Sequence, residues 1–229
     1  MRKKHLPILL ALLITVSFMS PVLAFQTAPS GSAPVAKKML IDGNNRFTSG
    51  KYAHPEIGQR RRTELTSEQH PFAVILSCSD SRFPPELIFD QGLGSLFVVR
   101  VAGNVLDTIT LGSIEYAVEH LGVKLIVVLG HEKCGAVKAT VDGGEFPPNI
   151  KALADKIQPA VEEAKDKHSD NLYETATDVN IINMVSSLSN DTAITYVEGV
   201  RILGAKYMLE SGKVVWKHCA VDRACPSLW

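Results

Sequence analysis

The chain has 229 residues, with 24 Lys+Arg balanced by 24 Asp+Glu and 45% hydrophobic residues. That length suits one domain with a sizeable core, and the charge balance argues against nucleic acid or an anionic membrane surface as the main partner. Neither a glycine-rich dinucleotide fingerprint nor a P-loop follows any strand-like run, which argues against nucleotide binding.

The first segment has the layout of a secretory signal peptide, expected over residues 1–24. Arg2, Lys3 and Lys4 precede an apolar stretch from Leu6 to Phe18, and small or apolar residues end at Ala24. The apolar stretch is short for a membrane span and no later one is long enough to cross a bilayer, so the mature form is expected to be exported, periplasmic or secreted, without a membrane anchor; an uncleaved N-terminal anchor is the alternative reading. Removal takes away three basic residues and no acid, leaving a slightly acidic chain. Residues 25–34, rich in Ser, Ala and Pro, are expected to be a flexible leader.

A helical arm follows, in which Val35, Met39, Leu40 and Phe47 can share a face and Gly50 supplies the stop. Its Gly43-Asn44-Asn45-Arg46-Phe47 interior is unusual, because Gly and Asn lower helix propensity. Such a choice points to close packing, against a second subunit among other options. Arg60-Arg61-Arg62 reads as a solvated helix face. Pro71 then biases His70 towards an extended entry into the first buried strand.

That strand begins the stretch FAVILSCSDSR, Phe72 to Arg82. Pro84-Pro85 breaks it and starts a short helix near Glu86 to Phe89. Ser95 to Val101 is a second strand, closed by Gly103-Asn104. Asp107 or Thr108 can cap a helix carrying Ile109, Ser113, Ala117 and Leu121 at helical spacing, with Gly122 as its stop. Leu125 to Leu129 is a third strand, delivering Gly130-His131 within LIVVLGHEKCGAV.

Alternating strands and helices imply a mostly parallel central β-sheet flanked by helices. Beyond Gly143, Ile150 to Lys167 reads as helical, with Pro159 a kink or a boundary, and Asp178 to Leu188 as a second amphipathic segment. Arg201 to Leu209 and Lys213 to Trp216 read as an antiparallel C-terminal hairpin. The expected fold is therefore α/β, with an N-terminal helical arm and a domain over residues 35–217. Residues 218–229 form a tail. Cys219 and Cys225 there are either a local disulfide or two free thiols.

Chemistry concentrates where two apolar runs end. Cys78, Asp80 and Arg82 stand at i, i+2 and i+4, on one side of an extended chain. His131 and Cys134 stand at i and i+3, one turn apart if a helix begins there. Two thiolates, an imidazole and a carboxylate form a donor set suited to tetrahedral zinc, and ligands collect beyond the carboxyl ends of parallel strands.

The paired motifs CSDSR and GHEKCG resemble the signature of the beta-class carbonic anhydrases. The resemblance extends from GNNRF through Phe97, Ile114-Glu115-Tyr116-Ala117 and LGAKYML to Gly212. It implies one zinc ion on Cys78, His131 and Cys134, with either Asp80 or a solvent-derived ligand in the fourth position. It further implies hydration of CO2 to bicarbonate by zinc-bound hydroxide, with Asp80 as a gate held off the metal by Arg82. Gln69, Phe97, Ala102, Tyr116 and Gly135 carry over as substrate-contacting residues. A homodimer or dimer of dimers is implied, the arm embracing the partner.

One subgroup binds bicarbonate at a regulatory site using a tryptophan three residues before the first zinc cysteine. Ile75 stands there, which argues against that mode of regulation. Two other readings compete: hydrolysis of carbon disulfide or carbonyl sulfide with the same residues, and a non-catalytic zinc or redox module with a closed site or a Cys78–Cys134 disulfide. The other histidines, His54, His70, His120, His168 and His218, read as surface residues.

Overall fold

A computed structural model describes residues 31–53 and 57–217. The signal segment, most of the leader, His54, His218 and the tail with Cys219 and Cys225 lie outside the described residues. Among the described residues no helix is long and apolar enough to cross a membrane.

The three apolar runs form parallel strands: β1 (Ala73–Ser77), β2 (Leu96–Arg100) and β3 (Leu125–His131). Strand β4 (Arg201–Tyr207) lies parallel to β3, and β5 (Val214–Lys217) returns antiparallel to β4. The sheet order is β2-β1-β3-β4-β5. Every residue of β1 and β3 is buried, as expected of central parallel strands covered on both faces. Alternate side chains divide between two cores: Ile75, Val127 and Leu129 face one, and Val74, Ile126 and Val128 the other.

Helix α1 (Ala33–Thr48) begins within the expected leader, with Pro34 in its first turn. Its buried face is Ala33, Ala36, Leu40, Gly43 and Asn44; Val35, expected inside, is exposed. The odd GNNRF interior is accounted for within the chain. A Cβ on Gly43 would lie 1.8 Å from the Phe89 carbonyl oxygen. Asn44 donates to the Ile88 and Gly212 carbonyls at 3.0 and 2.9 Å and accepts from the Val214 N–H at 2.9 Å. Arg46 pairs with the buried Asp90 at 2.5 Å.

Helix α2 (Gln59–Glu64) carries the arginine run; Arg61 donates to the Leu93 carbonyl. Helix α3 (Pro85–Ile88) and a 3₁₀ turn (Ala102–Asn104) follow β1 and β2. Asp107 caps α4 (Thr108–Glu119) through a reciprocal capping box with Thr110. The buried stripe of α4 is Ile114, Ala117 and Val118, whereas Ile109 is 77% exposed. Of the residues expected on this face, Ala117 is buried and Leu121 packs on the same core, but the stripe continues through Ile114 and Val118 rather than through Ile109 and Ser113. After α5 (Gly135–Asp142), α6 (Pro148–Asp166) passes through Pro159 as one helix.

Helix α7 (Leu172–Ser189) starts six residues before the expected segment, capped by Asn171, and is followed by the short α8 (Thr192–Tyr196). Ile181 of α7 lies where a Cβ on Gly130 or Gly204 would be, at 2.6 and 2.8 Å. The helix therefore packs directly on the backbones of β3 and β4.

Candidate metal centre

In the order β2-β1-β3, the chain passes from β1 to β2 on one side and then crosses back past β1 to β3 on the other, so the carboxyl ends of β1 and β3 border the crevice where such sheets bind ligands. Cys78 immediately follows β1, and His131 is the last residue of β3. The expectation that His131 and Cys134 share a helical turn is corrected. Lys133 adopts a left-handed φ of 53°, and Cys134 is the N-cap of α5. Ligand donors thus come from a strand end and a helix entrance, joined by a tight turn.

The Cys78 and Cys134 sulfurs and an imidazole nitrogen of His131 lie within 4.8 Å of one another, and all three residues are buried. Both cysteines are free, which speaks against the disulfide reading. His131 Nδ1 lies 2.9 Å from the Glu132 carbonyl, which fixes the tautomer with the proton on Nδ1. Its Nε2 is buried and has no hydrogen-bond partner among the described residues. A buried ring nitrogen left bare beside two thiols is unfavourable in an apolar interior unless a cation occupies its lone pair. The donor set therefore fits zinc, with a carbonyl behind the imidazole as metal-binding histidines usually have. Phe83, fully buried, packs on the His131 ring at 4.5 Å between centroids and so fixes its plane.

The cysteine environments differ. The Cys134 thiol donates towards Cys78 and, against the cost of burial, favours a thiolate on Cys78; His131 and the Gly103 N–H act in the same direction. The Gly103 N–H reaches Cys78 Sγ at 3.2 Å. The same neighbour and burial push Cys134 the other way. Two thiols sharing one proton are an arrangement that a cation resolves by displacing it.

Asp80 stands at the edge of this group, its Oδ2 3.8 Å from His131 Nε2. Arg82 holds the carboxylate bidentately, Nε to Oδ1 at 2.9 Å and Nη2 to Oδ2 at 2.7 Å, and the Arg82 N–H adds a third bond at 3.0 Å. These bonds hold the Asp80 carboxyl down at about 2, so it accepts hydrogen bonds and does not donate them.

Sequence reasoning missed Arg100, the last residue of β2. Its guanidinium donates to the Cys78 and Asp80 carbonyls at 3.1 and 2.6 Å and so ties down the loop carrying both residues. The only signal was a cation ending an apolar strand. A second missed group supports the other loop. Glu174 of α7 accepts from the Lys133 N–H at 3.0 Å and from Lys206 Nζ at 3.1 Å. Lys206 also pairs with Asp178 at 2.8 Å, and Lys217 with the other Asp178 oxygen at 2.8 Å.

The expected substrate-contacting residues separate into two sets. Ala102 opens the 3₁₀ turn beside Cys78, and Gly135 opens α5 beside Cys134. Phe97 instead pairs in register with Val74, four residues before Cys78, hence roughly 13 Å back along the strand. Tyr116 packs beside Phe97 at 6.4 Å, and Gln69 precedes β1. Gln69, Tyr116 and His120 line an open depression of about 620 Å³ at that end of the sheet. One copy does not bring these three predicted residues to the Cys–His–Cys group.

Residues 73–214, which contain all three donors, match the family model described as carbonic anhydrase. The chain belongs to the carbonic anhydrase family. A carbonic anhydrase of Mycolicibacterium smegmatis is 50% identical over 137 residues, 58% of this chain and 66% of that protein. Carbonic anhydrase 2 of Mycobacterium tuberculosis is 39% identical over 202 residues, covering 82% of this chain and 94% of that protein. Among solved structures, a protein of Sordaria macrospora described as a tetrameric beta-carbonic anhydrase superposes with a TM-score of 0.66. It is 23% identical, over 81% of this chain and 98% of that one, a likeness of fold. The fold is that of the beta-class carbonic anhydrases, and the chain is an enzyme of that family.

Proposed function

We propose that this carbonic anhydrase catalyses reversible hydration of CO2 to bicarbonate with one zinc ion held by Cys78, His131 and Cys134. The observation that carries the reading is the close group of three buried donors with His131 Nε2 left bare. When bound there, zinc supplies Lewis acidity that makes water nucleophilic near neutral pH.

The chain's own residues supply the rest. Asp80, kept ionised by Arg82, offers an acceptor at the site's edge and so favours a ligand that carries a proton. Arg82 keeps both carboxylate oxygens engaged, which holds Asp80 beside the donor group. Arg100 and Glu174 fix the two loops, and Phe83 fixes the imidazole. Ala102 and Gly135 border the site on its two sides, where a small apolar substrate would sit. Gln69, Phe97 and Tyr116 reach a metal centre only across an interface, so the working unit is an assembly of at least two copies, a homodimer or dimer of dimers. The Arg2–Lys4 and Leu6–Phe18 pattern supports export of the mature enzyme.

Stopped-flow CO2 hydration by the zinc-loaded mature protein, before and after chelation, tests the reading. Turnover that disappears with the metal and returns with zinc is expected. Metal-independent turnover, or release of sulfide from carbonyl sulfide or carbon disulfide with no CO2 hydration, would replace it.

A further inference from the structure

We infer that Asn180 is a positioning residue for the metal centre: through Gly103 it aims a backbone N–H at the sulfur of Cys78 and thereby tunes that ligand. This rests on the reading of Cys78, His131 and Cys134 as a cation site. Asn180 lies on α7 and is 1% exposed. Its Nδ2 donates to the Gly103 carbonyl at 2.8 Å, and the Gly103 N–H in turn reaches Cys78 Sγ at 3.2 Å. One residue of the 3₁₀ turn thus joins an amide of α7 to a sulfur at the end of β1.

The turn needs such a hold. Gly103 and Asn104 have φ of 72° and 46°, two successive left-handed residues. That conformation is open to glycine but costs other residues free energy. A Cβ on Gly103 would stand 2.6 Å from Ile157 Cδ1, so a larger residue would have to turn the tip of that side chain aside as well as hold a left-handed φ. The Asn104 N–H closes the turn on the Val101 carbonyl at 2.9 Å, but only Asn180 grips Gly103 by its own carbonyl among the bonds described. The anchor is itself immobile, because the next residue, Ile181, is wedged against Gly130 and Gly204.

The effect on the site is chemical as well as mechanical. Two thiolates donate much negative charge to one cation, which weakens its pull on a further ligand. A hydrogen bond into a ligand sulfur withdraws part of that charge, and hydrogen bonds of this kind adjust the properties of thiolate-held metals generally. Cys78 receives this N–H from outside the donor group, and Asn180 keeps it aimed.

The test uses cobalt-substituted full-length mature protein, in which sulfur-to-cobalt charge transfer reports the electron density on sulfur. Asn180→Leu keeps much of the side-chain bulk but removes the amide that donates to Gly103, and Asn180→Ala removes the side chain beyond Cβ. Both should move the charge-transfer band to lower energy and weaken zinc binding in chelator competition about tenfold or more, the range typical of lost ligand partners. Leu188→Ala, a packing change about two turns further along the same helix, should lower thermal stability and leave the band in place. Folded, cobalt-loaded Asn180 variants with an unmoved band would overturn the inference. In case both variants fail to fold, the native chain loaded with cadmium-113 provides a second measurement. A scalar coupling between the Gly103 amide proton and the metal, transmitted through Cys78 sulfur, is expected, and its absence would likewise overturn the inference. Failure of the native chain to take up cobalt or cadmium would overturn the cation-site reading as well, whereas uptake with an unmoved band removes only the role of Asn180.

Discussion

Replacing Lys206 by methionine removes a buried charge from beneath the turn that sets Cys134 relative to His131. Lys206 is nearly buried on β4, opposite Gly130 in register, and holds Glu174 at 3.1 Å and Asp178 at 2.8 Å. Losing one partner of a fully buried pair costs about 3–5 kcal/mol. Here Glu174 and Asp178 keep 28% and 32% of their side chains exposed, and Lys217 still neutralises Asp178. Solvent and the remaining partner reduce the cost, to about 2 kcal/mol.

The pH dependence supplies a second signature. Burial alone lowers the Lys206 pKa, but its bonds to Asp178 and Glu174 outweigh that and raise it above the ordinary lysine value. A group raised on folding contributes stability that is complete below its unfolded pKa, about 10.4, and is lost as pH rises through the folded value. Urea denaturation of the metal-free protein at fixed concentration should show Lys206→Met less stable by that margin at pH 7. The deficit should narrow above about pH 10.5, where the unfolded chain's lysine gives up its proton while the native one still holds it. A change below about 0.5 kcal/mol at pH 7, within the scatter of ordinary surface substitutions, or a deficit that widens in alkali, would refute the reasoning.

Further outcomes follow from the same geometry. Serine at Cys78 or Cys134, or alanine at His131, should abolish stoichiometric zinc in metal analysis and reduce CO2 hydration at least a hundredfold. Arg82→Ala should release Asp80 from its bidentate partner and lower turnover in stopped-flow assays by tenfold or more, with Arg82→Lys restoring only part because an ammonium cannot bind both oxygens in one plane. Gly43→Ala places a methyl inside the Phe89 carbonyl, and α1 must shift away from Ile88 and Gly212; a loss of about 3 kcal/mol in denaturant unfolding is expected, an overpacking cost at the upper end of the usual range.

Much of this arrangement was legible in the sequence because β1 and β3 are uninterrupted apolar runs, and a run buried on both faces gives its position away by composition alone. Their ends, Cys78 and His131, were therefore placed without knowing the packing. The Glu132-Lys133 turn was not legible, since nothing in HEKC distinguishes a left-handed lysine from the first turn of a helix. Along α1 and α4 the expected faces hold at Met39, Leu40, Phe47, Ala117 and Leu121, which are buried or pack on the cores, and fail at Val35 and Ile109, because an apolar residue at the surface carries no mark in the sequence. The support given by Arg100, Glu174 and Asn180 depends on contacts between residues 20 to 77 positions apart, which no local spacing encodes. Gln69, Phe97 and Tyr116 were inferred from resemblance alone, and the fold places them together but away from the donors.

Ile181 touches two strands at once, filling the places that side chains on Gly130 and Gly204 would claim. Neither glycine can therefore drift independently: a methyl gained on either strand has to be matched by carbon given up on the helix. The three positions form a single lock, and a shorter residue at 181 is the condition under which the sheet could accept bulk next to its imidazole-bearing end.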